Sequence, residues 1–286
     1  MFLSVAWRMP GLLLFLFLAV QPIVLAQAER PGRFRLPTEL KEVSGLVFAA
    51  PDSLWWHNDS GNAPTLYLTD GEGRLRRSLD LPQLRNIDWE DLTTDDAGNL
   101  YVGDFGDNRR QRTNLHVYRI DPVTGAADSI EFYYSDERHY DVEAFFWHRD
   151  SLHLFTKHRL QSGWLSTHHF VLPASPGAQV AVWRDSLALR KRVVTGAAIE
   201  PATGEVVLVA YYFKRWLGFL PWSSASVFVL DDYPEGHYLR GEVRRKRISC
   251  LLATQYESVD FANEGYLLVA SEQTVFIRPR AKPVRR

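Results

Sequence analysis

Asp88-Trp-Glu-Asp-Leu-Thr-Thr94 is a short polar signature that opens a hydrophobic strand, and four other segments repeat it. They are Glu42-Val-Ser-Gly-Leu-Val-Phe48, Asp141-Val-Glu-Ala-Phe-Phe-Trp147, Val193-Val-Thr-Gly-Ala-Ala-Ile199 and Gln255-Tyr-Glu-Ser-Val-Asp-Phe261. In chain order the third position holds Ser44, Glu90, Glu143, Thr195 and Glu257. The spacing is roughly 50 residues, a propeller-blade period. Each unit is then one supersecondary element stacked on its neighbours, and equivalent residues converge on one axis. Three carboxylates face one another there.

A turn and a second strand follow each signature: Ser53 to His57, Asn99 to Gly103, Ser151 to Phe155, Glu205 to Val209 and Gly265 to Val269. The turns carry Pro51-Asp52, Ala97-Gly98, Arg149-Asp150, Thr203-Gly204 and Asn263-Glu264, which are hairpin signals. Third strands are expected at Thr65 to Thr69, Leu115 to Ile120, Ser166 to Leu172, Ser226 to Leu230 and Thr274 to Arg278. Fourth strands are expected near Leu75 to Leu81, Asp128 to Tyr134, Gln179 to Leu187 and Gly241 to Ile248. The fifth unit lacks one, and the spare N-terminal strand Arg33 to Leu36 can close the ring by supplying it. The expected fold is all-β: a single five-bladed β-propeller of four-stranded antiparallel blades, residues 29–279, with a basic tail at 280–286.

The apolar run Gly11 to Val20 after Arg8, followed by Val24-Leu-Ala-Gln-Ala28, reads as a signal peptide over residues 1–28. The expectation is therefore a secreted or periplasmic monomer with no stable membrane span. The remaining chain has 32 basic and 34 acidic residues, a balance that gives no bulk attraction to nucleic acid. The single cysteine, Cys250, lies in an apolar stretch and reads as a structural thiol. No Gly-x-Ser-x-Gly elbow supports a serine hydrolase.

The first strand of a blade lines the channel, which puts Glu90, Glu143 and Glu257 near one mouth. Gathered carboxylates raise one another's pKa, so either protons or a cation must compensate them. Oxygen ligands suit Ca²⁺ or Mg²⁺ over Zn²⁺. The second strands end in polar segments that return to the same mouth. These add Asn58, Asp104 and Glu272 to the ligand set, with Asp59, Asp107 and Asn108 as further oxygens. Lys157, His158 and Arg159 could bind an anionic group, and Lys157 and His158 are the candidate catalytic residues. Asp88 and Asp141 either extend the site or cap a loop. Two plainer readings stand beside these: the Asp/Asn/Gly segments as ordinary turns, and the glutamates as ties to backbone amides between blades. Trp89 and Trp147 suit the space between blades. The segment Lys214 to Trp222 reads as a long loop with apolar residues, either folded over a face or free for a membrane, partner or saccharide.

Ser44-Gly45-Leu46, Glu90-Asp91-Leu92, Glu143-Ala144-Phe145, Thr195-Gly196-Ala197 and Glu257-Ser258-Val259 occur in an order that resembles the SdiA-regulated proteins, exported bacterial propellers. The resemblance spans about residues 33–279 and departs from the family at Asp91, Ala144 and Ser258, which replace glycine, and at Thr195, which replaces serine. It implies a five-bladed exported fold with a channel metal. More distantly the chain is similar to the calcium-dependent phosphotriesterase and phytase-like propellers, in which a channel-mouth cation polarises an ester or phosphoryl oxygen. Two functions follow as expectations: a metal-dependent hydrolase of a small phosphoester, ester or lactone, or a non-catalytic propeller with structural calcium that binds an envelope component.

Overall fold

The computed structural model describes residues 31–50, 52–159, 164–216, 220–248, 254–263, 265–274 and 277–286, with backbone alone for 158, 159, 164, 213–216 and 220–222. The signal-peptide stretch 1–28 and Cys250 lie outside the described residues.

Strand β1 (Phe34–Arg35) precedes four-stranded units in chain order. The first unit is β2 (Val43–Ala50), β3 (Ser53–Asn58), β4 (Thr65–Thr69) and β5 (Leu75–Asp80). The second is β6 (Trp89–Thr94), β7 (Leu100–Asp104), β8 (Leu115–Ile120) and β9 (Ala127–Tyr134). The third is β10 (Val142–His148), β11 (Ser151–Thr156), β13 (Trp164–Pro173) and β14 (Gly177–Arg190), with the two-residue β12 (His158–Arg159) paired to β13. The fourth is β15 (Val193–Ile199), β16 (Val206–Trp216), β17 (Leu220–Asp231) and β18 (Glu242–Ile248). The last is β19 (Tyr256–Asn263), β20 (Tyr266–Ser271) and β21 (Arg280–Arg285), completed by β1 on the edge of β21. Within units all pairing is antiparallel. The second and third units join into one sheet because the start of β14 runs parallel to β9.

The architecture is all-β and propeller-like. Inner strands touch in the cyclic order β2, β6, β10, β15, β19 and back to β2. A hydrophobic cluster fills each gap between consecutive units, including the gap between last and first, where Leu268, Ala270 and Ala281 meet Leu40, Leu46 and Trp56. Burial on both faces explains the unbroken apolar run Val206 to Val209: Val206 and Leu208 enter the cluster toward the third unit, Val207 and Val209 the one toward the fifth. Outer strands such as β9 instead alternate buried and exposed residues. Trp89 is fully buried between the first two units, its indole N–H donating to the Arg85 carbonyl at 2.9 Å. Arg149 and Asp150, both at positive φ, form the two-residue turn between β10 and β11.

Three expectations change. The third strand of the last unit is Arg280–Arg285 rather than Thr274 to Arg278, so residues 280–285 form sheet and not a tail. Its basic residues have partners: Lys282 lies 4.7 Å above the Tyr256 ring, and Arg286 reaches Glu205 at 3.4 Å. Pro283 is tolerated because β1 covers only Arg280 and Ala281, leaving the outer side of the strand open. Finally, Lys214 to Trp222 is not a long loop, since the β16–β17 ladder continues to Trp216 and Leu220.

Candidate metal centre

Every inner strand carries an irregularity in its pairing with the second strand at the third signature position. Register slips between Val43 and Gly45, Trp89 and Leu92, Val142 and Ala144, Val194 and Gly196, and Tyr256 and Ser258. A bulge leaves its residue out of the ladder and re-aims the side chain. The five bulge residues Ser44, Glu90, Glu143, Thr195 and Glu257 are all buried.

A second repeated element faces them. In four units the residue one or two positions past the second strand donates its N–H to the carbonyl of the first signature residue: Asp59 to Glu42 at 2.8 Å, Gly106 to Asp88 at 3.2 Å, Lys157 to Asp141 at 2.7 Å and Glu272 to Gln255 at 3.2 Å. Asp59, Gly106, Lys157 and Glu272 therefore occupy equivalent places. The bulge and exit positions together build the site.

Carboxylate oxygens of Asp59, Asp88 and Glu90 lie within 4.8 Å of one another, as do those of Asp59, Glu257 and Glu272. Asp59 is common to both groups. Gln255 donates to Glu257 and to Glu272, 3.1 Å each, and orients that pair. Gly106 provides the room opposite: a Cβ there would overlap Glu90 Oε1 and come within 2.5 Å of Asp88 Oδ2. Glu143 stands apart, its Oε1 accepting from the buried Lys157 ammonium at 2.5 Å.

Burial is the first cause of the titration behaviour here. It lifts Glu90 well above the usual carboxylate range, with Glu143 and Asp59 adding to the rise. It does the same for Glu257, where Glu272 adds. Asp59 is pushed up to about 6 and Glu143 to about 8, the latter against the pull of Lys157. Asp88 and Glu272 are also raised by burial. Burial opposes the Lys157 charge, but Glu143 and further anions outweigh it and hold the amine above its ordinary value. The mouth thus demands positive charge, from protons or from a cation.

Of the residues chosen from sequence, the structure brings Glu90, Glu257 and Glu272 together around Asp59 and leaves Glu143 with Lys157. Asn58 and Asp104 act from beneath. Asn58 accepts from Glu42 N at 3.1 Å and donates to the Glu39 carbonyl at 2.7 Å. Asp104 binds Arg112 Nη2 at 2.9 Å and Asp88 N at 3.0 Å, fixing the segment that carries Asp88. Asp107 caps its own turn, accepting from Gln111 and Arg112 N–H groups. His158 pairs with Ser166 through its backbone, and its side chain lies outside the described residues. The ties between inner strands are made by other residues: Ser44 Oγ donates to the Glu90 carbonyl, Thr195 Oγ1 to the Tyr256 carbonyl at 2.8 Å, and Asp91 accepts from Leu92, Phe145 and Ala197 N–H groups at 2.9, 3.1 and 3.2 Å.

With this geometry in view, comparison with known proteins adds little. No family model and no curated protein matches the chain. Solved structures of similar shape include the mannosyltransferase MPT-1 of Leishmania mexicana, 9% identical, covering 91% of both chains with a TM-score of 0.49. A glucose dehydrogenase is 13% identical, with 90% of this chain and 100% of that one covered and a TM-score of 0.42. The extracellular domain of a B. thetaiotaomicron protein is 10% identical over 91% of this chain, at a TM-score of 0.42. The chain spans 36% of that solved chain.

One polar network escaped the sequence reading. Asp185 Oδ1 meets His169 Nδ1 at 3.0 Å, and His169 Nε2 meets His153 Nδ1 at 3.0 Å, all three residues buried. Both imidazoles are held below their ordinary range, by burial first. Among the described residues, no helix is long and apolar enough to cross a membrane.

Proposed function

We propose that this chain is an exported five-bladed β-propeller of the SdiA-regulated kind, with a site for one hard divalent cation at its channel mouth, and that it hydrolyses a small phosphoester, ester or lactone there. Asp59 carries the reading, as one carboxylate within 4.8 Å of two acidic pairs from separate strands. The donor set of Asp59, Asp88, Glu90, Glu257 and Glu272 is all oxygen, which fits Ca²⁺. Mg²⁺ fits less well, because it demands near-octahedral geometry and keeps its waters. A bound Ca²⁺ supplies Lewis acidity toward an ester or phosphoryl oxygen. The chain's own part is positional. Asp59, Asp88 and Glu272 are only partly buried, which leaves the cluster open to solvent on one side. Lys157, held by Glu143, keeps a fixed positive charge beside Glu90 and Glu257 and favours an anionic substrate group.

One observation favours a structural cation in a binding propeller. Lys157 is engaged by Glu143, and the ring hydroxyls of Ser44 and Thr195 donate to backbone, so the described ring residues offer no free nucleophile. Calcium titration of chelator-treated protein by calorimetry separates the outcomes when followed by a panel of p-nitrophenyl phosphoesters, esters and lactones. Binding that Asp59→Asn abolishes, with turnover lost on chelation, supports the hydrolase. Binding without turnover supports the scaffold. No heat, with coincident melting curves with and without calcium, rejects the cation site.

A further inference from the structure

Just beyond the seam where β9 and β14 run parallel, Asp136, Tyr140, His168 and Trp183 line a cavity of about 470 Å³. Trp183 lines it and is 49% exposed, unusual for so large an apolar side chain. The indole is nevertheless held in place: its N–H donates to Ser186 Oγ at 3.2 Å, and Ser186 Oγ lies 2.6 Å from His168 Nδ1. A register slip beside Arg184 sets the strand's direction at this point. Opposite, the Tyr140 ring stands edge-to-face to the His168 ring at 5.9 Å, and its hydroxyl donates to Asp136 Oδ2 at 2.6 Å.

Arg110 and Arg138 also line the cavity. Arg110 adopts φ +54, a conformation that disfavours residues with side chains. Arg138 is largely exposed and only 3.9 Å from Asp136 at its nearest. A fixed, half-exposed indole is a platform for the C–H face of a sugar ring. Guanidinium groups pair with carboxylates and sulfates. The surrounding hydroxyl, imidazole and carboxylate groups match ring hydroxyls, which a flat aromatic anion would leave unmatched. The volume falls within the range of small-ligand sites, ~300–1,000 Å³.

We propose that this seam pocket binds an acidic saccharide, with a sugar ring on Trp183 and its carboxylate or sulfate toward Arg110 and Arg138. The test is titration of the full chain, by indole fluorescence and calorimetry, with tetragalacturonate, a heparin-derived tetrasaccharide and neutral maltotetraose. At least one acidic ligand is expected to bind ten-fold or more tightly than maltotetraose, with affinity falling as salt rises. Binding of one acidic ligand alone identifies the anionic group as carboxylate or sulfate. Trp183→Ala and the double variant Arg110→Ala/Arg138→Ala should each weaken binding at least ten-fold while melting temperatures stay within the wild-type range. Asp59→Asn should leave it unchanged, which separates this pocket from the cation site. Failure of both acidic ligands to bind, equal binding of maltotetraose, or an unchanged Kd in folded Trp183→Ala overturns the proposal.

Discussion

Acidic residues on and beside the inner strands do two different jobs, and the contrast lies in what their oxygens face. Asp91 and Asp260 face backbone: Asp91 takes three N–H groups from three segments of chain, and Asp260 takes those of Phe48 and Phe261 at 2.7 Å each. Asp59, Asp88 and Glu90 face one another, as do Asp59, Glu257 and Glu272. Carboxylates of the first kind fasten neighbouring inner strands together. Those of the second kind hold repulsion in place until protons or a cation relieve it. One residue class thus serves as staple or as ligand according to whether donors surround it.

The largest expected effect breaks the staple. Asp91→Ala strands three buried N–H groups at roughly 1–3 kcal/mol each, so urea unfolding should show a loss of several kcal/mol. Asp59→Asn should instead leave stability equal or higher at pH 7 without calcium, because it removes charge from the cluster. An equal loss in both variants would end the distinction. Next, calcium at about 100 times its Kd should stabilise the wild type by about 2.7 kcal/mol in thermal melts. Asp59→Asn and Gly106→Ala should lose this gain, the second because its Cβ takes the space of the Glu90 and Asp88 oxygens. Asp260→Asn should keep it.

The His153–His169 network sharpens the comparison, since it is buried and polar but lies outside the channel. Its folded-state pKa values lie below the ordinary 6.5, so the unfolded chain takes up protons first as pH falls. Its contribution is complete above about pH 6.5 and lost progressively below it. The buried carboxylates with raised pKa values act the other way, gaining stability as pH falls, so the histidine part is read by difference: the denaturant midpoint of His153→Gln should gain on that of the wild type between pH 7 and 5. The smallest expected effect is Thr195→Val, which removes one buried hydroxyl bond and should cost about 1 kcal/mol without altering calcium binding.

Strand positions were legible where side chains alternate or run apolar: the strands at Thr65–Thr69 and Leu115–Ile120 match their expected limits. Arg280–Arg285 was not legible, because Arg, Lys and Pro read as tail until β20 pairs with the segment and the Tyr256 ring supplies a partner for Lys282. Within the site, the repeated third position was visible directly, but nothing local ranked Asp59 above its neighbour Asn58, whose side chain faces Glu42 N and the Glu39 carbonyl. Aligning the ends of the second strands, as the signatures were aligned, puts Asp59, Gly106, Lys157 and Glu272 in one column. No local signal distinguishes His153 and His169, which meet only through the β11–β13 pairing.

The sequence by itself determined the all-β class, the repeat and the third-position residues Ser44, Glu90, Glu143, Thr195 and Glu257, because hydrophobic period and signature recurrence are local properties of the chain. Tertiary structure decided how those residues are used. Bulges set their direction, residues past four of the second strands set their neighbours, and burial set their charge. That division separated Glu143, neutralised by Lys157, from the acids gathered around Asp59, and it made Asp91 a staple one residue away from Glu90. Distances between groups far apart in sequence exist only once the strands are paired and packed, and electrostatic energy depends on those distances.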